Sequence, residues 1–221
     1  MHRSIILITI LAFILFFSIQ DFGFMFLSIP VFLTLSYNLS DFSLRILNKK
    51  RKAIKKNKNI EFLSFVGIIS SLFTVRDFEQ TIGGYDLFWK LAFLSLIFSL
   101  ICISILNKHI NFDNEQRFYN ILSVCICFFL LLPNLGIFIN KYVSLETENK
   151  QITTINYKQE SHSRSTSYSI FIRTEFDKNE RLDVNEDFYN SITNNQIIAL
   201  TLKKGILGYN YVSKIEKKNN F

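Results

Sequence analysis

The sequence predicts a membrane α-helical part of four to five transmembrane helices, followed by a small, mostly β domain resembling an OB-like barrel with one short helix. Three observations carry that prediction. The long apolar runs are confined to residues 1–140, and residues 141–221 read as ordinary polar protein. The polar part shows the period-two alternation of strands. A dense basic run, Asn48 to Lys58, separates apolar blocks in the first part. The expected domains are therefore a polytopic part, 1–140, and a β-rich part, 141–221.

Composition agrees with a membrane class. Of 221 residues, 49% are hydrophobic and 15% aromatic, and 24 are phenylalanine. Soluble domains are seldom so rich in large apolar side chains. The net charge of +7 raises the question of nucleic acid. Residues 141–221, however, hold twelve Lys plus Arg against ten Asp plus Glu, a net of +2. A nucleic-acid footprint belongs on the polar domain, so no nucleic-acid partner is expected.

Most of the excess charge sits in NKKRKAIKKNK, where Lys49, Lys50, Arg51, Lys52, Lys55, Lys56 and Lys58 make seven basic residues of eleven. Lys- and Arg-rich flanks stay in the cytoplasm and orient the spans. They also attract anionic lipid. The run is read as a topology and lipid-facing signal.

Before it, Met1-His2-Arg3 leads into the uncharged Ser4 to Ile19. No A-x-A-like cleavage pattern follows, so this is read as an uncleaved first span rather than a signal peptide. The first two spans are placed at about 4–20 and 22–37. They form a hairpin with Asp21 at the far surface, since a carboxylate at depth is costly. Ser40 to Asn48 then reads as an interfacial helix leading into the lysines.

The block 60–75 is ambiguous. Its uncharged part, Phe62 to Val75, has fourteen residues, a length at which re-entrant segments compete with spans. If it crosses, Arg76 to Asp86 is an external loop and the β domain is extracytoplasmic, which is the placement adopted. If it does not, the β domain is cytoplasmic. The spans 87–106 and 119–139 are long enough for the hydrocarbon core, with Tyr85, Trp89 and Tyr119 at interfacial depth. Lys90 lies near enough to a span end to snorkel, and Pro133 is expected to kink the last span.

In the polar domain, Gln151 to Lys158 and Thr166 to Thr174 read as strands, the second placing Tyr168, Ile170 and Ile172 on one face. Glu160 to Ser165 fits the loop between them, a weak binding-loop candidate through His162 and Arg164. Arg181 to Val184 is a third strand. Asn185 caps a short helix with Glu186 and Asp187 in its first turn. Ile197 to Lys203 and Tyr209 to Val212 complete the order, and the tail after Val212 is expected to be loose. Three strands, a helix and two strands is the OB-type order.

The stretch Thr166 to Val212 resembles the carboxyl-terminal region of uncharacterised bacterial inner-membrane proteins. These have several amino-terminal spans and a small β domain ending in a Gly-x-Leu-Gly, aromatic, Val pattern. Gly205, Leu207, Gly208, Tyr211 and Val212 carry the match, and Asn194-Asn195 stands where such sequences have a turn glycine. The resemblance implies this architecture and a multi-pass inner-membrane location, with no activity attached.

No catalytic constellation emerges. The histidines are His2, His109 and His162, and no HExxH, CxxC, P-loop or nucleophile elbow is present. Asp183, Glu186 and Asp187 offer themselves as a cation site, but helix first-turn preference explains Glu186 and Asp187 without a metal. Cys102, Cys125 and Cys127 lie in apolar runs and read as small buried hydrophobes. The expectation is a non-enzymatic protein without cofactor or metal, its β domain contacting an envelope partner or its own copies. Alternatives are a membrane-resident immunity protein acting on a toxin in the bilayer, and a small pore or carrier.

Overall fold

The computed structural model describes residues 2–19, 25–48, 60–112, 115–143, 148–162, 166–173 and 179–218. The amino-terminal part is helical: α1 (His2–Ser18), α2 (Met25–Asn48), α3 (Phe62–Glu79), α4 (Gly84–Leu106) and α5 (Arg117–Tyr142). The carboxyl-terminal part is an antiparallel half-barrel: β1 (Asn149–His162), β2 (Thr166–Arg173), β3 (Asn179–Val184), α6 (Glu186–Ser191), β4 (Ile197–Lys204) and β5 (Asn210–Lys217). Two helices, α4 and α5, are long and apolar enough to cross a membrane, and shorter apolar stretches run through Ser4–Ser18 and Phe62–Thr74. The chain divides into two compact units. One is Met1–Leu72 with Phe88–Leu135, the other Phe73–Leu87 with Gly136–Phe221.

Within the first unit the helices are apolar nearly all round. Phe65, Ile69 and Leu72 of α3, and Phe93, Ile97 and Ile101 of α4, face outward. Polar residues turn inward: Ser36, Ser40, Ser95, Ser99 and Asn120 are buried. Most of these hydroxyls and amides are satisfied locally or between helices. Ser95 and Ser99 donate to carbonyls three and four residues back, and Asn120 Oδ1 accepts from the Ile60 amide at 2.9 Å. Gly67 lets α3 approach α5, since a Cβ there would lie 3.0 Å from Cys127 Cα. Small residues at helix contacts and polar cross-links are the packing devices of helices in lipid. Asp41 of α2 pairs with Arg117 at 2.7 Å.

Three boundaries differ from the sequence reading. The second apolar block does not end at Tyr37. α2 continues through Asn38 and the expected interfacial helix to Asn48, because no breaker stands between them. Likewise α3 carries on to Glu79 and α4 starts at Gly84, so the expected loop Arg76 to Asp86 shrinks to Gln80–Gly83. The basic run 49–58 lies outside the described residues.

In the second unit the strand order is β3-β2-β1-β4-β5, every neighbour antiparallel. This order is compatible with an OB-like barrel left open between β3 and β5. An irregularity between Ile155 and Tyr157 divides β1, so Asn149–Thr154 pair with β4 and Ile155–His162 with β2. Such a bulge bends a strand, which lets one strand serve both halves. Ile155, Ile170, Ile172, Leu182, Ile198, Leu200, Leu202 and Val212 form the core, with Ile82 from the α3–α4 corner packed against it.

Two further expectations are corrected here. Glu160 to Ser165 is not all loop: Glu160, Ser161 and His162 pair with Tyr168, Ser167 and Thr166. The tail is not loose after Val212, because Ser213–Lys217 continue β5 against β4. Ile215 also packs on the core. Both segments are polar on their outer faces, which hid the ladder.

Candidate functional site

The α3–α4 corner is built into the β unit. Beyond Phe78 the chain turns on Gly83, whose φ is +74°, and Gly84, where a Cβ would lie 2.8 Å from Phe78 O. Only glycine tolerates both demands cheaply. Between Phe78 and Gly83, Thr81 forms an antiparallel bridge to Tyr211. The Val212 amide donates to Gln80 O and the Ile82 amide to Asn210 O, both at 2.8 Å. The corner thus adds a short extended segment to the outer edge of β5. It also reaches β3: Arg181 pairs with Glu79 at 3.5 Å, and the Gly83 amide donates to Glu180 Oε1 at 3.2 Å. Burial raises the Glu79 carboxyl above its ordinary value, Arg181 opposing that rise and Asp183 adding to it.

The end of α5 is tied to the same corner. Asp77, almost fully buried, is in a close ion pair with Lys141, and Lys141 Nζ also donates to Gln80 Oε1 at 3.3 Å. Asn140 donates to Tyr209 O at 3.0 Å, and its Oδ1 accepts from the Leu207 amide at 3.1 Å. The Tyr209 hydroxyl donates to Asp86 at 2.6 Å.

Where the corner stops, the half-barrel remains open. A cleft of about 320 Å³ lies between the two outer strands, with Leu182, Asp183 and Val184 on β3, Val212 to Ile215 on β5, Phe188 of α6 at one side and Gln80 at another. Its lining mixes the apolar Leu182, Val184, Phe188, Val212 and Ile215 with the polar Gln80, Asp183, Asn185, Ser213 and Lys214. Lys214 holds Glu216 at 2.5 Å, which together with Lys150 keeps the Glu216 carboxyl below its usual range. The helix beside the cleft is pinned. Asn185 Oδ1 accepts from the Phe188 amide at 2.9 Å, and Lys158 Nζ donates to Tyr189 O and Ile192 O at 2.9 Å each. Two strand edges facing a cleft can accept an extended polypeptide by main-chain pairing.

The residues singled out in the sequence fall elsewhere. His162 closes β1 with its side chain largely exposed, 3.6 Å from Glu160. It is a strand residue rather than the expected loop residue. Arg164, like Lys49, Lys50, Arg51, Lys52, Lys55, Lys56 and Lys58, lies outside the described residues. Of the three acids considered for a cation, Asp183 lines the cleft, whereas Glu186 and Asp187 start α6. Among the described residues no group of three His, Cys, Asp or Glu could hold a metal. The three thiols are free, and Lys90 is exposed. Sequence reading missed Asp77, Gln80, Asn140 and Lys141. The one available signal was the pair Gly83-Gly84 beside an acid-rich segment.

Compared with family models, with curated proteins and with solved structures, the chain matches none of them.

Proposed function

We propose that the chain is a non-enzymatic, multi-pass inner-membrane protein whose OB-like domain receives an extended segment of an envelope protein at the seam between β3 and β5. The observation that carries the interaction role is the cleft itself, where the two edge strands β3 and β5 face each other beside Phe188. Edges left open in this way are templates for strand addition. The membrane part of the reading is supported by the outward apolar faces. Only 28% of the apolar window of α4 is buried, whereas a core helix of a soluble protein would be mostly covered. With α1 and α2 as further spans the count is four, and with α3 crossing as well it is five.

Side and role are tested separately. Alkaline phosphatase and a fluorescent protein are each fused after Phe221, and phosphatase activity without fluorescence is expected for an extracytoplasmic domain. Fluorescence alone would move the domain to the cytoplasm. For the role, a photoreactive amino acid replaces Lys214 in the seam or Lys150 on the exposed side of β1. A cross-link to one discrete protein from position 214 and none from 150 is expected; equal products from both positions would remove the seam from consideration.

A further inference from the structure

We propose that the Gly205–Gly208 turn is a lipid-contacting tip that seats the β unit on the bilayer interface where α5 ends. The proposal rests on the reading of α5 as a membrane span. The turn is closed by the Gly208 amide donating to Gly205 O at 2.9 Å, so Ile206 and Leu207 are its central residues. Water-facing turns favour Asn, Asp, Ser and Gly there. Here two large aliphatic side chains are 48% and 42% exposed, and neither belongs to the core of the half-barrel.

Their surroundings indicate what covers them. The Ile206 amide donates to Val143 O at 3.2 Å and the Leu207 amide to Asn140 Oδ1, which holds the turn on the last turn of α5. Phe138, Ile139, Tyr142 and Val143 are exposed on the same stretch, with the Phe138 and Tyr142 rings 4.5 Å apart. The outward apolar face of a candidate span therefore continues into the turn. A tyrosine at that level suits the headgroup boundary, with its ring in the apolar zone and its hydroxyl in the wet one. The attachment is close. A Cβ on Gly205 would meet Asn140 O at 2.0 Å, so the turn lies directly against the helix end. Apolar groups held at a helix exit reach the headgroup and acyl boundary, about 5–10 Å deep, that amphipathic segments occupy.

The test uses the full chain in lipid nanodiscs, with Cys102, Cys125 and Cys127 replaced by Ala. An environment-sensitive fluorophore is attached at Leu207→Cys or Ile206→Cys. Ile97→Cys, exposed near the middle of α4, serves as the deep reference and Gln159→Cys as the aqueous one. Lipids carrying a nitroxide near the headgroup or deep in the acyl chain, and aqueous iodide, are the quenchers. At 207 and 206 the shallow nitroxide should quench at least twofold more than the deep one, and iodide little. Deep quenching at 97 with iodide quenching at 207 and 206 overturns the proposal and leaves the membrane reading standing. Shielding of both turn positions from lipid and iodide means that protein covers the turn, which also overturns it. No lipid quenching at 97 removes the membrane reading and the proposal together.

Discussion

Gly205→Ala should detach the β4–β5 turn from the end of α5. The new methyl would stand 2.0 Å from Asn140 O and 2.3 Å from Asn140 Oδ1, so the two segments must part by about 1 Å to reach 3.0 Å, the closest that real Cβ atoms come. The backbone carbonyl cannot swing aside as a side chain would. A 1 Å separation takes the Leu207–Asn140 bond from 3.1 Å, the Ile206–Val143 bond from 3.2 Å and the Asn140–Tyr209 bond from 3.0 Å beyond hydrogen-bond range. At about 1 kcal/mol each, the loss is about 3 kcal/mol. Because 1.4 kcal/mol is tenfold, local opening of the turn should become about a hundredfold more frequent. Hydrogen exchange of the Ile206 and Leu207 amides in detergent-solubilised full chain reads that opening directly. Gly208→Ala is the control: its φ of +85° strains alanine, with no atom within 4 Å of the new methyl. It should therefore cost about 1–2 kcal/mol of backbone strain only. If Gly205→Ala exchanges no faster than Gly208→Ala, contact with α5 is not why position 205 is glycine.

Lys141→Met alone should destabilise by about 3–5 kcal/mol, because it strands a buried Asp77 carboxylate, while the double variant Asp77→Leu/Lys141→Met should recover most of that loss. Melting temperatures of the four proteins decide it, and additive losses would refute the pairing. The Glu79 carboxyl has a raised folded value, so its ionised form costs stability above that value. The cost lifts as pH falls through it and is gone below the ordinary 4.5. The advantage of Glu79→Gln over the parent, followed by thermal unfolding, should accordingly shrink between pH 7 and pH 4.5; an advantage that grows over that window contradicts the sign. Asn195 sits at φ +63°, where glycine is free and alanine strained. Asn195→Ala should lose about 1 kcal/mol relative to Asn195→Gly in chemical denaturation, and equal stability would argue against a left-handed requirement.

Legibility in the sequence followed the range of the interaction. The cap at Asn185 needed only the rule that its side chain accepts from an amide three residues on, and it does so from Phe188. Alternating Ile170 and Ile172, or Ile198, Leu200 and Leu202, announce strands because each apolar residue carries its own reason to turn inward. Ser213 to Lys217 carry little such reason. Their strand identity comes from β4, whose pairing with them runs to Ile198–Lys217. The helix from Ser40 to Asn48 was visible, but its union with the apolar block before it was not. Asp41, close to the join, is paired with Arg117, 76 residues further along the chain.

The corner illustrates the limit most clearly. Read alone, Asp77, Glu79 and Asp86 are three acids in a polar loop between two apolar blocks. In the fold each has a specific basic or hydroxyl partner: Lys141, Arg181 and Tyr209 respectively. Those partners lie 64 to 123 residues further along the chain, beyond any local rule. Gly205 carries the same lesson from the other side. A Gly-x-Leu-Gly pattern is legible as strand-turn-strand, which accounts for Gly208 through its positive φ. The reason for Gly205 is a carbonyl on a helix 65 residues earlier, and the exposed Ile206 and Leu207 make sense only once that helix end is in place. Motif recognition therefore located the turn but not its attachment. The attachment is the feature that makes two apolar residues at a hairpin tip a fixed surface rather than a folding accident.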